Sequence, residues 1–200
     1  WRAARNLLFL WPTFSLTPVG KSNMQKILIA NRGEIAVRIM RTCQRMGIQS
    51  VAVYSDADRG AQHTLIADEA LYIGPSPVDQ SYLNQSSVLA AALQSGATGI
   101  HPGYGFLSEN AEFARAVVRA GLLWIGPPAA AMEIMASKIR ARELAVAHAV
   151  PVLPGCTLSD DSGISELTRV ADIGFPVLLK ASAGGGGKGM RGVHAAPELP

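Results

Sequence analysis

An α/β protein with a mostly parallel sheet is the fold this sequence predicts, and three observations predict it. From residue 26 onward, short apolar runs alternate with segments whose apolar residues recur at helical spacing. Polar loops, NRGE at 31–34, SDADRG at 55–60 and HPGYGFLSEN at 101–110, follow strand-like runs. Near residue 128 this alternation gives way to helices, which lead to a glycine loop between two further apolar runs. Strands alternating with helices are covered on both faces, and ligands of such sheets gather at the strands' carboxyl ends.

The elements follow in order. KILIA (26–30) is a strand, closed by Asn31, Arg32 and Gly33. The next helix is expected to bury Ile35, Ile39, Cys43 and Met46, which share one stripe, before Gly47 breaks it. SVAVYS (50–55) is the second strand and DADRG (56–60) a loop. A short helix at 62–67, a strand at 70–73 and a Gly-Pro-Ser-Pro turn come next. Residues 86–94 are helical and 99–101 end a strand. The helix expected at 109–120 takes Ser108 as N-cap and Glu109 as a first-turn acid, and Gly121 ends it. LLWIG (122–126) is another strand before Pro127 and Pro128. Residues 129–149 are helix-rich and 165–172 helical. His101, at a strand end before Pro102, is expected to be a hydrogen-bonded structural residue.

The stretch KASAGGGGKGMR (180–191) is the most telling. Gly184 to Gly187 strip side chains from a loop, so that backbone N–H groups can surround a polyanion, with Lys180 and Lys188 adding charge. A Walker loop would need Gly where Ser182 stands and Ser or Thr where Gly189 stands, followed by a helix. A flexible linker would have polar flanks, whereas PVLLKAS and GMRGVH read as strands. Phosphate binding between two strands is the reading these residues favour. NAD binding at the first crossover is disfavoured, because ANRGEIA lacks G-x-G-x-x-G. Lys138, Arg140 and Arg142 read by themselves as a solvated helix face.

Composition narrows the classes. Apolar residues make up 48% against 16% charged, which suits a buried core and excludes a disordered chain. Of the 18 basic residues, Arg2, Arg5 and Lys21 lie in the acid-free stretch 1–23, leaving 15 against 15 acids. No basic surplus remains for a nucleic-acid groove, so no nucleic-acid partner is expected. LLFLW is too short to span a bilayer, and no membrane partner is expected. Cys43 and Cys156 lack metal-type spacing; Cys43 is expected to be a buried thiol, as suits a reducing compartment. Residues 1–23 are read as a leader, transit-like or a non-native extension, with Met24 directly before the first strand. Starting at Met24 implies a cytoplasmic protein, and a transit peptide the mitochondrial matrix.

Three motifs then agree. ANRGEIAVR (30–38), HPGYGFLSEN (101–110) and KASAGGGGKGMR resemble, in order and spacing, the biotin carboxylase component of biotin-dependent carboxylases, over residues 26 to about 194. The resemblance implies a Rossmann-like N-terminal domain (24–135) and the start of an ATP-grasp domain (136–200), with the boundary near 128–138. It implies that Lys138 and Lys180 contact ATP, that Gly186 and Gly187 offer amides to its phosphates, and that Met190 lines the adenine pocket. Tyr104, Gly105 and Glu109 would face the biotin and bicarbonate side. Ala183, four glycines and Lys188 look more like propionyl- or methylcrotonyl-CoA carboxylase α subunits than the bacterial acetyl-CoA type. Arg41 with Arg45 at i+4, where the bacterial enzyme places an acid, argues against the bacterial type of homodimer, although an oligomer is expected.

The implied reaction uses MgATP to activate bicarbonate and carboxylates biotin on a carrier domain, for a carboxyltransferase subunit to use. The glycine loop would act as a lid. Mg²⁺-binding acids and the catalytic base are expected beyond Pro200, so this stretch alone is expected to be inactive. The alternatives are another ATP-grasp ligase, such as a carbamoyl-phosphate synthetase-like enzyme, and a non-catalytic nucleotide-binding module.

Overall fold

A computed structural model describes residues 24–158, 164–180 and 189–199. Strands β1 (Lys26–Ile29), β2 (Gln49–Ser55), β3 (Glu69–Gly74), β4 (Gly99–His101) and β5 (Leu123–Trp124) form one sheet in the order β3-β2-β1-β4-β5. Every pairing is parallel. Alternation along the strands sends Leu28, Val51 and Val53 to one face and Ile29 and Ala52 to the other. The first face packs against α3 (Gln85–Gln94), α4 (Ala111–Arg119) and α5 (Ala129–Ala136) through Val88, Phe113, Val117 and Met132. The second packs against α1 (Gly33–Arg45) and α2 (Gln62–Ile66) through Ala36, Met40 and Ile66. Two covered faces account for the nearly unbroken apolar runs of the strands.

Two local expectations need correction. The buried face of α1 is Ala36, Val37, Met40 and Cys43, so only Cys43 of the expected stripe is fully buried. Ile35 and Ile39 are half-buried, and Met46, the C-cap, is 65% exposed. The small Ala36 lets the helix lie close to Ile29 and Ala52, which rotates the buried stripe by about one residue. The second correction concerns α4, which starts at Ala111 behind Asn110 as N-cap. Asn110 Oδ1 accepts the Phe113 N–H at 2.8 Å. The first-turn acid is therefore Glu112, and Glu109 lies in the preceding turn rather than in the helix.

After β5, α5 rests on α4 through Met132 and an Arg115–Glu133 ion pair. Ser137 ends α5 and caps α6 (Lys138–Ala147), accepting the Arg140 N–H at 3.3 Å. Beyond α7 (Ile164–Ile173), β6 (Val177–Lys180) and β7 (Met190–Val193) pair antiparallel, with Lys180 opposite Met190.

Candidate active site

The chain runs outward from β1 to β3 and then returns to β4 on the other side of β1. The loops after β1 and β4 therefore diverge at the sheet's switch point, where open α/β sheets form their ligand crevice. These loops carry two of the three sequence motifs, and one side chain ties them together. Asn31, 1% exposed, donates from Nδ2 to the carbonyls of Pro102 and Tyr104, both at 2.8 Å. Its Oδ1 accepts the Arg32 N–H at 2.9 Å. The strand ends add a bond from the Ala30 N–H to the His101 carbonyl at 2.9 Å.

The β4–α4 loop is shaped by its glycines. Gly103 has φ +67°, and a Cβ there would stand 2.7 Å from Asn31 Nδ2 and 2.9 Å from Ile35 Cγ2. Its N–H donates to His101 Nδ1 at 3.0 Å, so His101 is hydrogen-bonded within the loop, and burial pushes its pKa down. Gly105 has φ +69° with nothing near its Cβ position, so backbone conformation rather than space calls for glycine there. Phe106 also has positive φ, 43°, and stacks on Tyr82 with centroids 5.1 Å apart.

Below Phe106 lies a polar cluster. The buried Tyr82 donates its hydroxyl to Asp58 Oδ2 at 2.6 Å. Arg32 donates to the same carboxylate from Nε at 2.6 Å and from Nη2. The Arg32 hydrogen bond holds the Asp58 pKa below the usual carboxylate range, while burial and then Asp58 push Tyr82 up to about 12. The same bond raises Arg32. His63, also buried, meets the Val53 carbonyl through Nε2 at 3.2 Å, and its Nδ1 has no partner among the described residues.

Burial lowers the His63 pKa from its ordinary 6.5. Between the lowered folded value and 6.5, the unfolded chain binds a proton that the folded chain excludes. This contribution to stability is thus complete above pH 6.5 and is lost as pH falls below it. A His63→Gln variant, whose amide can still donate to Val53, is expected to lose less stability on acidification. Unfolding of the complete protein at about pH 7.5 and about pH 5.5 measures this, and an unchanged pH dependence would contradict it.

The structure places the expected site residues in separate groups. Tyr104, Gly105 and Glu109 share the switch-point loop, and all three are exposed, Tyr104 to 65%. Lys180 and Met190, both exposed, stand opposite each other at the mouth of the β6–β7 hairpin. Lys138, also exposed, is the first residue of α6. Gly186 and Gly187 lie outside the described residues. Asn31 and Asp58 were legible only as members of polar loops after strands, and Tyr82 carried no signal.

A family model described as "Biotin carboxylase, N-terminal domain" matches residues 23–132, and "Carbamoyl-phosphate synthase L chain, ATP binding domain" matches residues 137–200. The chain is 53% identical over 185 residues to the mitochondrial methylcrotonoyl-CoA carboxylase subunit alpha of Glycine max, covering 90% of this chain and 25% of that one. It is 48% identical over 177 residues to the biotin carboxylase of Allochromatium vinosum, covering 88% and 39%. A Campylobacter jejuni biotin carboxylase–β,γ-ATP complex superposes with a TM-score of 0.81 at 42% identity, covering 88% and 39%. The biotin carboxylase domain dimer of Hydrogenobacter thermophilus 2-oxoglutarate carboxylase, solved with MgADP and bicarbonate, gives 0.77 at 46%, covering 87% and 38%. The chain thus spans 25% to 39% of the length of these relatives.

Proposed function

This chain belongs to the biotin carboxylase family, and on that premise we propose that its protein carboxylates protein-linked biotin with bicarbonate at the expense of ATP, as part of an acyl-CoA carboxylase. The observation that carries the reading is the switch-point junction, where Asn31 joins the NRGE and HPGYGFLSEN loops into one surface. ATP supplies the phosphoryl group that activates bicarbonate. The hairpin mouth has chemistry suited to a nucleotide: Lys180 offsets phosphate charge, while Met190 beside it offers an apolar contact to the base. Lys138 adds a second cation, and Gly186 and Gly187 offer amides to the phosphates. Tyr104, Gly105 and Glu109 form the wall toward biotin and bicarbonate. Holding the reactants in register and excluding water are the work of this part of the protein.

Among the described residues no cluster of three His, Cys, Asp or Glu suits a metal ion, so no residue here is assigned to Mg²⁺. The proposed partners are a biotin carboxyl carrier domain, a carboxyltransferase subunit and further copies in an oligomer. No described helix is long and apolar enough to cross a membrane. The match of residues 137–200 to a carbamoyl-phosphate synthase model reflects nucleotide handling, and residues 23–132 distinguish the two readings.

The test is phosphate release from ATP by the complete protein, which is expected to require both bicarbonate and biotin. A Gly186→Val variant, with a β-branched side chain where phosphate must approach, is expected to raise the KM for ATP roughly tenfold or more and to leave the melting temperature nearly unchanged. Release that ignores biotin, or an unaltered KM for ATP in the variant, refutes the assignment.

A further inference from the structure

We propose that Asn31 is a positioning residue, whose side-chain amide sets the β4–α4 loop that presents Tyr104, Gly105 and Glu109; the inference rests on the function proposed above. Where β4 ends, the sheet no longer pairs the following carbonyls, and an unpaired buried carbonyl is costly. Asn31 stands in for the missing strand neighbour. Both its N–H groups are used, on the Pro102 and Tyr104 carbonyls, and its oxygen accepts from the Arg32 backbone. The bond to Arg32 fixes the amide's orientation, because a flipped amide would set its oxygen against two carbonyl oxygens. Gly103, between the two gripped carbonyls, brings its backbone so close that a Cβ would meet Nδ2 at 2.7 Å. Asn31 is 1% exposed, so it touches the loop's main chain rather than solvent. The Tyr104 side chain, in contrast, is presented outward from a backbone that Asn31 pins.

Asparagine has the required shape and two donors. Aspartate has the same shape and none. Asn31→Asp in the complete protein is therefore expected to lower kcat/KM for free biotin roughly a hundredfold, the scale of misplacing a reacting surface by about 1 Å. The KM for ATP, bound by other elements, should stay within about twofold, since uniform loss of binding is not what a local shift produces. Amide exchange of residues 103–109 should quicken, with β1 and β2 unchanged. Asn31→Ala, which removes both donors without setting a charge against the carbonyls, should shift each readout in the same direction by a smaller amount, and it carries the test if the aspartate variant does not fold. Equal losses toward ATP and biotin, or exchange quickened across the whole sheet, would reduce Asn31 to a general structural residue and overturn the proposal. An unmodified protein without biotin-dependent phosphate release would refute the function instead. Exchange would then still decide the loop: quickening confined to 103–109 supports the role of Asn31, and none overturns it.

Discussion

Replacing Asp58 by alanine is expected to destabilise the fold by about 3 kcal/mol, near the lower end for breaking a buried ion pair. The Asp58 side chain is 6% exposed and accepts from Arg32 twice and from the Tyr82 hydroxyl once. Its loss leaves a buried phenol without its main acceptor. Arg32, at 46% exposure, can turn part of its guanidinium to water, which keeps the cost from reaching the top of the range. Asp58→Asn retains the size and one acceptor, so about 1 kcal/mol is expected. Because the Asp58 pKa is lowered, its stabilisation is present above the ordinary value of 3.8 and is lost as pH falls through the lowered folded value. Denaturant unfolding of the complete protein at neutral pH measures both variants. Equal costs would mean that the charge carries the whole effect and that shape and the retained acceptor add nothing. Tyr82 also supports Phe106, so Asp58→Ala should loosen the same loop that Asn31 pins from the other side.

The sheet was legible in the sequence because its strands are apolar on both faces and its helices carry clear breaks such as Gly47 and Gly121. The strand order was not, since no local signal says that β4 returns beside β1. The phase of α1 was misread because isoleucine and methionine dominate a hydrophobicity pattern, whereas close approach to a sheet selects alanine. The start of α4 was misread for a similar reason. Ser108 and Asn110 are both good caps, and the turn through Phe106 to Glu109 decides between them. Among functional residues, those inside glycine-rich or charged motifs could be found. Tyr82 could not, because it meets Asp58 from 24 residues away and matters only through that meeting.

A pair of glycines in the HPGYGFLSEN loop separates the cost of backbone conformation from the cost of crowding. Gly103 and Gly105 have nearly the same φ, +67° and +69°. An L-residue in that region costs roughly 1–2 kcal/mol whatever surrounds it. Around Gly105 a Cβ would find open space, so Gly105→Ala should lose about 1 kcal/mol of stability. At Gly103 the same methyl group would lie 2.7 Å from Asn31 Nδ2, 2.9 Å from Ile35 Cγ2 and 3.1 Å from Asn31 Cβ. Asn31 cannot retreat without releasing the Pro102 and Tyr104 carbonyls, and Ile35 sits on α1. Overpacking adds about 1–3 kcal/mol, so Gly103→Ala should lose about 3 kcal/mol in all. It should also lower kcat/KM for biotin by roughly a hundredfold, because the methyl group displaces the loop's anchor rather than its tip. Combining Gly103→Ala with Asn31→Ala should cost less than the sum of the two changes, since each removes what the other disturbs. Equal losses at Gly103 and Gly105 would show that the strand-end junction has slack, and that the two motifs are neighbours without being fitted to each other.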